Sequence, residues 1–223
     1  MAEVARSQAA LGGERAMTFS IVAFDSASGA CGSAVASYSL AVGGTVSYSR
    51  IGVGVINTQH YAHLTLGQRV LDKMDAGSPP HEALTQALEK DPDADSRQLI
   101  AIDAKGRKSG WTGKDCAETS RHIFGSGCVA AGNYLATEEV VESMVEVFEQ
   151  STEELLHDRL LEALKAGDLK GGDRRGRKAA ALSVVPAKGD IVSVNVDLRV
   201  DAHEDPIGEL ARLRELFRLE FRQ

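Results

Sequence analysis

The chain has 223 residues, 43% of them apolar and 26% charged, with a formal net charge of −7 at pH 7. That balance gives a globular domain with a sizeable core and excludes a disordered or fibrous chain. The acidic excess argues against nucleic acid or an anionic membrane as a partner, and every apolar run falls short of the roughly 20 residues a membrane helix needs.

Residues 1–17 carry Glu3, Arg6, Glu14 and Arg15 with no sustained apolar stretch, so they lack the build of a secretory signal. They stand apart as a polar extension, and residues 18–223 are expected to form a single domain. From Thr18 the chain alternates as a strand to Phe24, turns at Asp25-Ser26-Ala27-Ser28-Gly29, and returns as a small-residue strand from Ala30 to Ala36. A second hairpin is expected from Thr45 to Tyr48 and Gly52 to Thr58, turning at Ser49-Arg50. Two helices follow. Leu64 to Ala76 puts Leu66, Val70, Leu71 and Met74 on one face; His81 to Lys90 turns Ala83, Leu84, Ala87 and Leu88 inward, with Ser78 as its expected N-cap.

Strands are expected again at Gln98 to Asp103 and Gly110 to Thr112, around the turn Ala104-Lys105-Gly106. Helical spacing returns from Thr137 to Lys165, capped at Thr137 and broken near Ser151. Strands at Ala179 to Val185 and Ile191 to Asp197 precede a final helix from about Pro206 to Phe221. Strand pairs interrupted by helix pairs do not build a doubly wound parallel sheet. They suit two stacked antiparallel sheets with helices outside, a four-layer αββα sandwich.

The three cysteines, Cys31, Cys116 and Cys128, are odd in number and far apart. They fit reduced, buried thiols and an expected cytoplasmic location. His60 and His63 lack the carboxylate motif of a metal helix, and no glycine run opens a helix as a phosphate loop does, so no cofactor or metal is expected. Leu213, Leu216, Phe217 and Leu219 of the last helix form a face that docks on the core or meets a second copy, and a homo-oligomer is expected.

The segments Thr18-Phe19-Ser20-Ile21-Val22-Ala23, Gly52 to Gln59, Gly132-Asn133-Tyr134-Leu135-Ala136, Gly172 to Arg177 and Val196 to Asp201 occur in that order. In this the chain resembles a bacterial family of unassigned activity, the domain of unknown function 1028 family. A strand opening on Thr in such a sandwich also resembles the N-terminal-nucleophile (Ntn) hydrolases. The resemblance implies an amidohydrolase in which Thr18, freed as the N-terminal residue, is nucleophile and base together. Its α-amine, with an ordinary pKa of roughly 7.7 to 8.0, would activate its own hydroxyl. It also implies a chain start at Met17-Thr18, so residues 1–17 are a misassigned start or a propeptide. Proteasome-type members place a lysine after the first hairpin, whereas the stretch from Ala30 to Arg50 has none.

Around Thr18 the expected site comprises Asn133 as an oxyanion donor, with Ser20, Asn57, Thr58 and Gln59 lining a cleft. Arg174, Arg175 and Arg177, the one concentrated positive run, would hold an anionic substrate group. Each has a plain alternative: Thr18 as a β-branched strand opener, Asn133 as a turn residue, the arginines as solvated or ion-paired loop. The corresponding functions are hydrolysis of a small, anionic or cyclic amide, or a non-catalytic small-molecule-binding or structural role on the same scaffold.

Overall fold

The computed structural model describes residues 18–117, 119–190 and 193–221. The extension 1–17, residue 118, residues 191 and 192 of the predicted late strand, and 222–223 lie outside the described residues. Among the described residues, ten strands form two antiparallel sheets. The larger contains β1 (Thr18–Phe24), β2 (Cys31–Ser37), β7 (Arg121–Gly125), β8 (Cys128–Asn133), β9 (Ala179–Val185) and β10 (Val196–Val200), in the order β10-β9-β2-β1-β8-β7. The smaller is β3 (Ser47–Arg50), β4 (Gly54–His60), β5 (Arg97–Asp103) and β6 (Lys108–Thr112), in sequence order.

Strand alternation assigns the layers. On β1, Phe19, Ile21 and Ala23 point outward into a core shared with helices α4 (Glu139–Gln150), α5 (Leu156–Leu169) and α6 (Pro206–Phe221). On β4 and β5, Ile56, Leu99 and Ala101 face the opposite helix layer, α2 (Leu66–Asp75) and α3 (Pro80–Leu88). A single helical turn, α1 (Val42–Thr45), connects β2 to β3. Between the sheets lie Val22, Cys31, Val55, Ile100, Ile102 and Val129. The result is the four-layer αββα sandwich expected above. Among the described residues, no helix is long and apolar enough to cross a membrane.

Several boundaries move, each for a local reason. The second hairpin turns at 51–53 rather than Ser49-Arg50, because β3 continues to Arg50, whose guanidinium is anchored by Asp72 at 2.7 Å and Asp75 at 3.3 Å. Gly52 (φ +70°) and Gly54 (φ +146°) make the reversal in backbone regions that favour glycine. Ser78 does not cap α3: Pro79 stands at the cap and Pro80 opens the helix. Thr137 does not cap α4 either, since its hydroxyl donates to the Lys170 carbonyl at 3.2 Å and Glu138 takes the cap position. The late strand is Val196–Val200, held in register by Val196 opposite Val184. Two unpredicted strands, β7 and β8, complete the larger sheet. β8 is paired on both sides, to β1 and to β7, and those ladders fix a segment whose small residues carry little strand propensity of their own.

Candidate functional site

Thr18 opens β1 with Ser37 opposite it on β2 and Asn133 opposite it on β8. Cross-strand partners point the same way, so all three side chains face the smaller sheet. The space between the sheets is therefore divided: apolar around Val22 and Val129, polar at the Thr18 end. Thr18 is 1% exposed, and its hydroxyl donates to Ser37 Oγ at 3.2 Å.

One connected network fills the polar half. Ser20 Oγ donates to Gln59 Oε1 (2.7 Å), and Gln59 Nε2 donates to Gln98 Oε1 (2.8 Å). Asn133 Nδ2 donates to the same Gln98 oxygen at 3.0 Å. Gln98 Nε2 in turn reaches Thr112 Oγ1 and the Arg121 and Gly132 carbonyls, at 3.1, 3.1 and 3.0 Å. Thr112 Oγ1 lies 2.8 Å from His122 Nδ1, and burial pushes the His122 pKa below its ordinary value. Nearby, Ser33 donates to Asn57 Oδ1 at 2.9 Å. Of the Asn side chains on this inner face, Asn133 Oδ1 and Asn57 Nδ2 are buried and have no hydrogen-bond partner. Most buried polar atoms are paired, so these two mark positions open to a further partner.

His60 and Tyr134 stand next to this network in chain order, following Gln59 and Asn133. Both adopt left-handed backbone, with φ of 67° and 51°. Their rings stack across the two sheets with centroids 5.6 Å apart and planes 7° from parallel. Non-glycine residues in this region cost of order 1 kcal/mol or more and persist where surrounding contacts hold them. Here the two strained positions hold each other.

The structure thus brings together Thr18, Ser20, Gln59 and Asn133, with Asn57 on the same inner face. Thr58 does not join them. Strand alternation turns it with Ile56 toward the helix layer, where its buried hydroxyl has no partner. Asn133 is a strand-end residue rather than a turn residue. One of its two amide N–H bonds points to Gln98, and its acceptor Oδ1 has no partner.

The arginine run lies in a loop docked on the Thr18 end of the larger sheet. Asp173 pairs with Leu135 in an isolated bridge, its carboxylate accepts the Tyr38 amide at 3.1 Å, and Lys178 N–H donates to the Ser37 carbonyl. Burial pushes the Asp173 pKa up, against the opposing pull of the amide N–H groups and Arg175. Arg175 and Lys178 both lie over the Tyr38 ring, at 4.7 and 3.7 Å from its centroid. Arg177 is drawn to Asp168 (2.8 Å) and Asp205 (3.5 Å), the ion-paired alternative given for this run above. Among the described residues, Arg174 makes only long contacts, 3.4 Å to the Leu135 carbonyl and 3.5 Å to Thr119.

Reasoning from the sequence missed Gln98, Ser37 and Tyr134. Gln98 carried one signal, a polar residue opening an otherwise apolar strand, but its burial comes from the facing sheet. The cysteines offer no alternative nucleophile. Burial pushes the Cys31 and Cys128 thiols up to about 12 and Cys116 up to about 11. Native protein at pH 8 is accordingly expected to react slowly with Ellman's reagent at Cys31 and Cys128, and all three thiols to titrate promptly once it is unfolded; prompt native labelling of Cys31 or Cys128 would contradict this burial.

The model of a family of unknown function (DUF1028) matches residues 18–210. The crystal structure of a Silicibacter pomeroyi protein of that family is 31% identical, covers 91% of this chain and 89% of its own, and superposes with a TM-score of 0.83. Anbu structures from Yersinia bercovieri (the ancestral beta-subunit) and from Hyphomicrobium overlap at 12% and 10% identity. Each covers 92% of this chain and 97% of its own, with TM-scores of 0.45 and 0.44, too distant to carry an argument. No curated protein matches the chain.

Proposed function

The chain belongs to the DUF1028 family, a family of unknown function, and from that premise we propose that it is an Ntn-type amidohydrolase whose nucleophile is Thr18 in a form of the chain that begins there. The observation that carries this reading is the placement of Thr18. It is the first residue of a central strand, at the polar end of the inter-sheet layer, with a hydroxyl partner on one side and an amide partner on the other. In the full sequence Thr18 is preceded by residues 1–17, and its nitrogen is an amide with no base strength. With that bond absent, the α-amine would take the proton of Thr18 Oγ1 as the hydroxyl attacks the amide carbon. The amine would then protonate the leaving nitrogen, and water would release the acyl group. Asn133 Oδ1, an acceptor without a partner, suits an N–H of the α-ammonium or of the substrate amide.

The substrate we propose is a small amide or cyclic amide with an anionic group, met by Arg174 with Arg175 behind it. Among the described residues, Arg174 spends little of its hydrogen-bonding capacity on the protein. Replacing Arg174 by alanine is expected to raise KM about tenfold for N-acyl amino acids and lactam carboxylates, leaving neutral amides unchanged. Preference for neutral substrates together with an unaffected KM would remove the anionic assignment.

A second reading, a non-catalytic binding or structural protein on the same scaffold, is favoured by the burial of Thr18 at 1% exposure with its hydroxyl already bonded to Ser37. The two readings part on hydrolysis of that substrate panel by the chain beginning at Thr18. Turnover supports the enzyme; none, with saturable binding, supports the second reading. We further propose a cytoplasmic homo-oligomer, in which the exposed Leu216 and Leu219 of α6 meet a second copy.

A further inference from the structure

Ser37 is the last residue of β2 and is fully buried. Its backbone is flanked on both sides, by Thr18 on β1 and by Ala179 on β9, and its carbonyl accepts the Lys178 N–H at 2.8 Å. The side chain is fixed as well, because Ser37 Oγ accepts the Ser39 N–H at 3.0 Å, closing a turn on the serine's own hydroxyl. The oxygen that meets Thr18 is therefore held by main chain rather than by a side chain free to swing.

Thr18 Oγ1 donates to this oxygen at 3.2 Å. A threonine side chain has three staggered χ1 wells, and each sends the hydroxyl a different way from Cβ. The bond to Ser37 selects the well that turns Oγ1 toward β2. Asn133, opposite Thr18 on β8, directs an amide N–H to Gln98 on the facing sheet, and Ser20 is tied to that sheet through Gln59. Thr18 is anchored within its own sheet instead, where seven consecutive pairs set the register of β1 on β2.

We propose that Ser37 is the positioning residue of the Thr18 nucleophile, an inference that rests on the reading of Thr18 given above. In the chain that begins at Thr18, the hydroxyl hydrogen passes to the neutral α-amine as Oγ1 bonds to the acyl carbon. The Oγ1–H bond breaks, an N–H bond forms, and the leaving group then takes that proton from the α-ammonium. Ser37 holds the oxygen and not the proton: once the hydrogen is on the amine, the Ser37 hydroxyl turns from acceptor to donor toward Oγ1. An Oγ1 released from Ser37 spreads over the other χ1 wells, and misplacing a reacting atom by about 1 Å can cost on the order of 100-fold in rate.

The test times the formation of a β-lactone adduct on the chain that begins at Thr18, over a range of lactone concentrations, in the parent, Ser37→Ala and Ser37→Thr. Ring opening by Thr18 Oγ1 breaks the acyl–oxygen bond of the lactone and retains the whole reagent as an ester. Ser37→Ala is expected to lower the maximal rate at least about tenfold and to leave the half-saturating concentration within about twofold, because the reagent does not touch Ser37. Ser37→Thr restores a hydroxyl at the same place and is expected to react within about threefold of the parent. Circular dichroism checks that each variant is folded; should Ser37→Ala fail to fold, Ser37→Cys, close in size and a weak hydrogen-bonding group, is read in its place with the adduct mapped to Thr18. A reactive parent matched in rate by the folded Ala or Cys variant would overturn the role of Ser37 and leave the Thr18 reading standing. A change confined to the half-saturating concentration, or no recovery in Ser37→Thr, would overturn it too. A parent that forms no adduct would remove the Thr18 reading and this inference together.

Discussion

Replacing Gln98 with leucine is expected to destabilise the fold by about 3–4 kcal/mol, a large effect for one uncharged side chain. Gln98 is fully buried, and its amide accepts from Gln59 and Asn133 while donating to Thr112 and to the Arg121 and Gly132 carbonyls. Leucine matches its approximate volume and replaces none of these bonds. Two buried donors and two carbonyls then lose a partner, and each unsatisfied group costs about 1–3 kcal/mol. Relaxation of Thr112, which is only partly buried, recovers some of that. Urea denaturation measures the loss directly, and for a chain of this length the melting temperature should fall by about 10 °C. A loss below about 1 kcal/mol would mean that the polar half of the inter-sheet layer contributes little to holding the sheets together.

The second large effect concerns Thr18. In a chain that begins at Thr18, Thr18→Ala is expected to lower amide hydrolysis at least about 1,000-fold, since the substitution removes the attacking oxygen itself. Thr18→Ser keeps a hydroxyl beside an α-amine and is expected to stay within about 100-fold of the unsubstituted chain. The rate should rise with pH as the amine loses its proton, reaching half its maximum near pH 8, because only the neutral amine acts as base. The circular dichroism spectrum and unfolding midpoint of Thr18→Ala should remain close to the parent, because the deleted hydroxyl makes one 3.2 Å bond to Ser37. An alanine variant that hydrolyses as fast as its parent would sink the nucleophile assignment.

Much of the architecture was legible where local chemistry determines structure. Phe19, Ile21 and Ala23 alternate with Thr18, Ser20 and Val22, and the two sets line the two faces of β1. The spacing of Leu66, Val70, Leu71 and Met74 gave the buried stripe of α2. β8 was not legible, because Cys128 to Asn133 is mostly small residues whose strand identity comes from neighbours on both sides. The site was partly legible. Strand alternation alone would have separated Thr58 from Asn57 and Gln59, and the structure does separate them. The direction of the Asn133 amide was beyond the sequence, since it depends on Gln98, 35 residues earlier and on the facing sheet. The pairing of Arg177 with Asp168 and Asp205 likewise joins segments far apart in the chain.

The most direct measurement of the central claim is intact-mass analysis after exposure to a β-lactone, which a nucleophilic hydroxyl opens to an ester that retains the whole reagent. Two preparations are compared, one beginning at Thr18 and one retaining residues 1–17, each with its Thr18→Ala counterpart. A single adduct confined to the chain that begins at Thr18, and mapped by fragmentation to Thr18, is the result predicted here. No adduct on that chain, or the same adduct on all four, would contradict Thr18 as an amine-activated nucleophile and leave the binding role in its place.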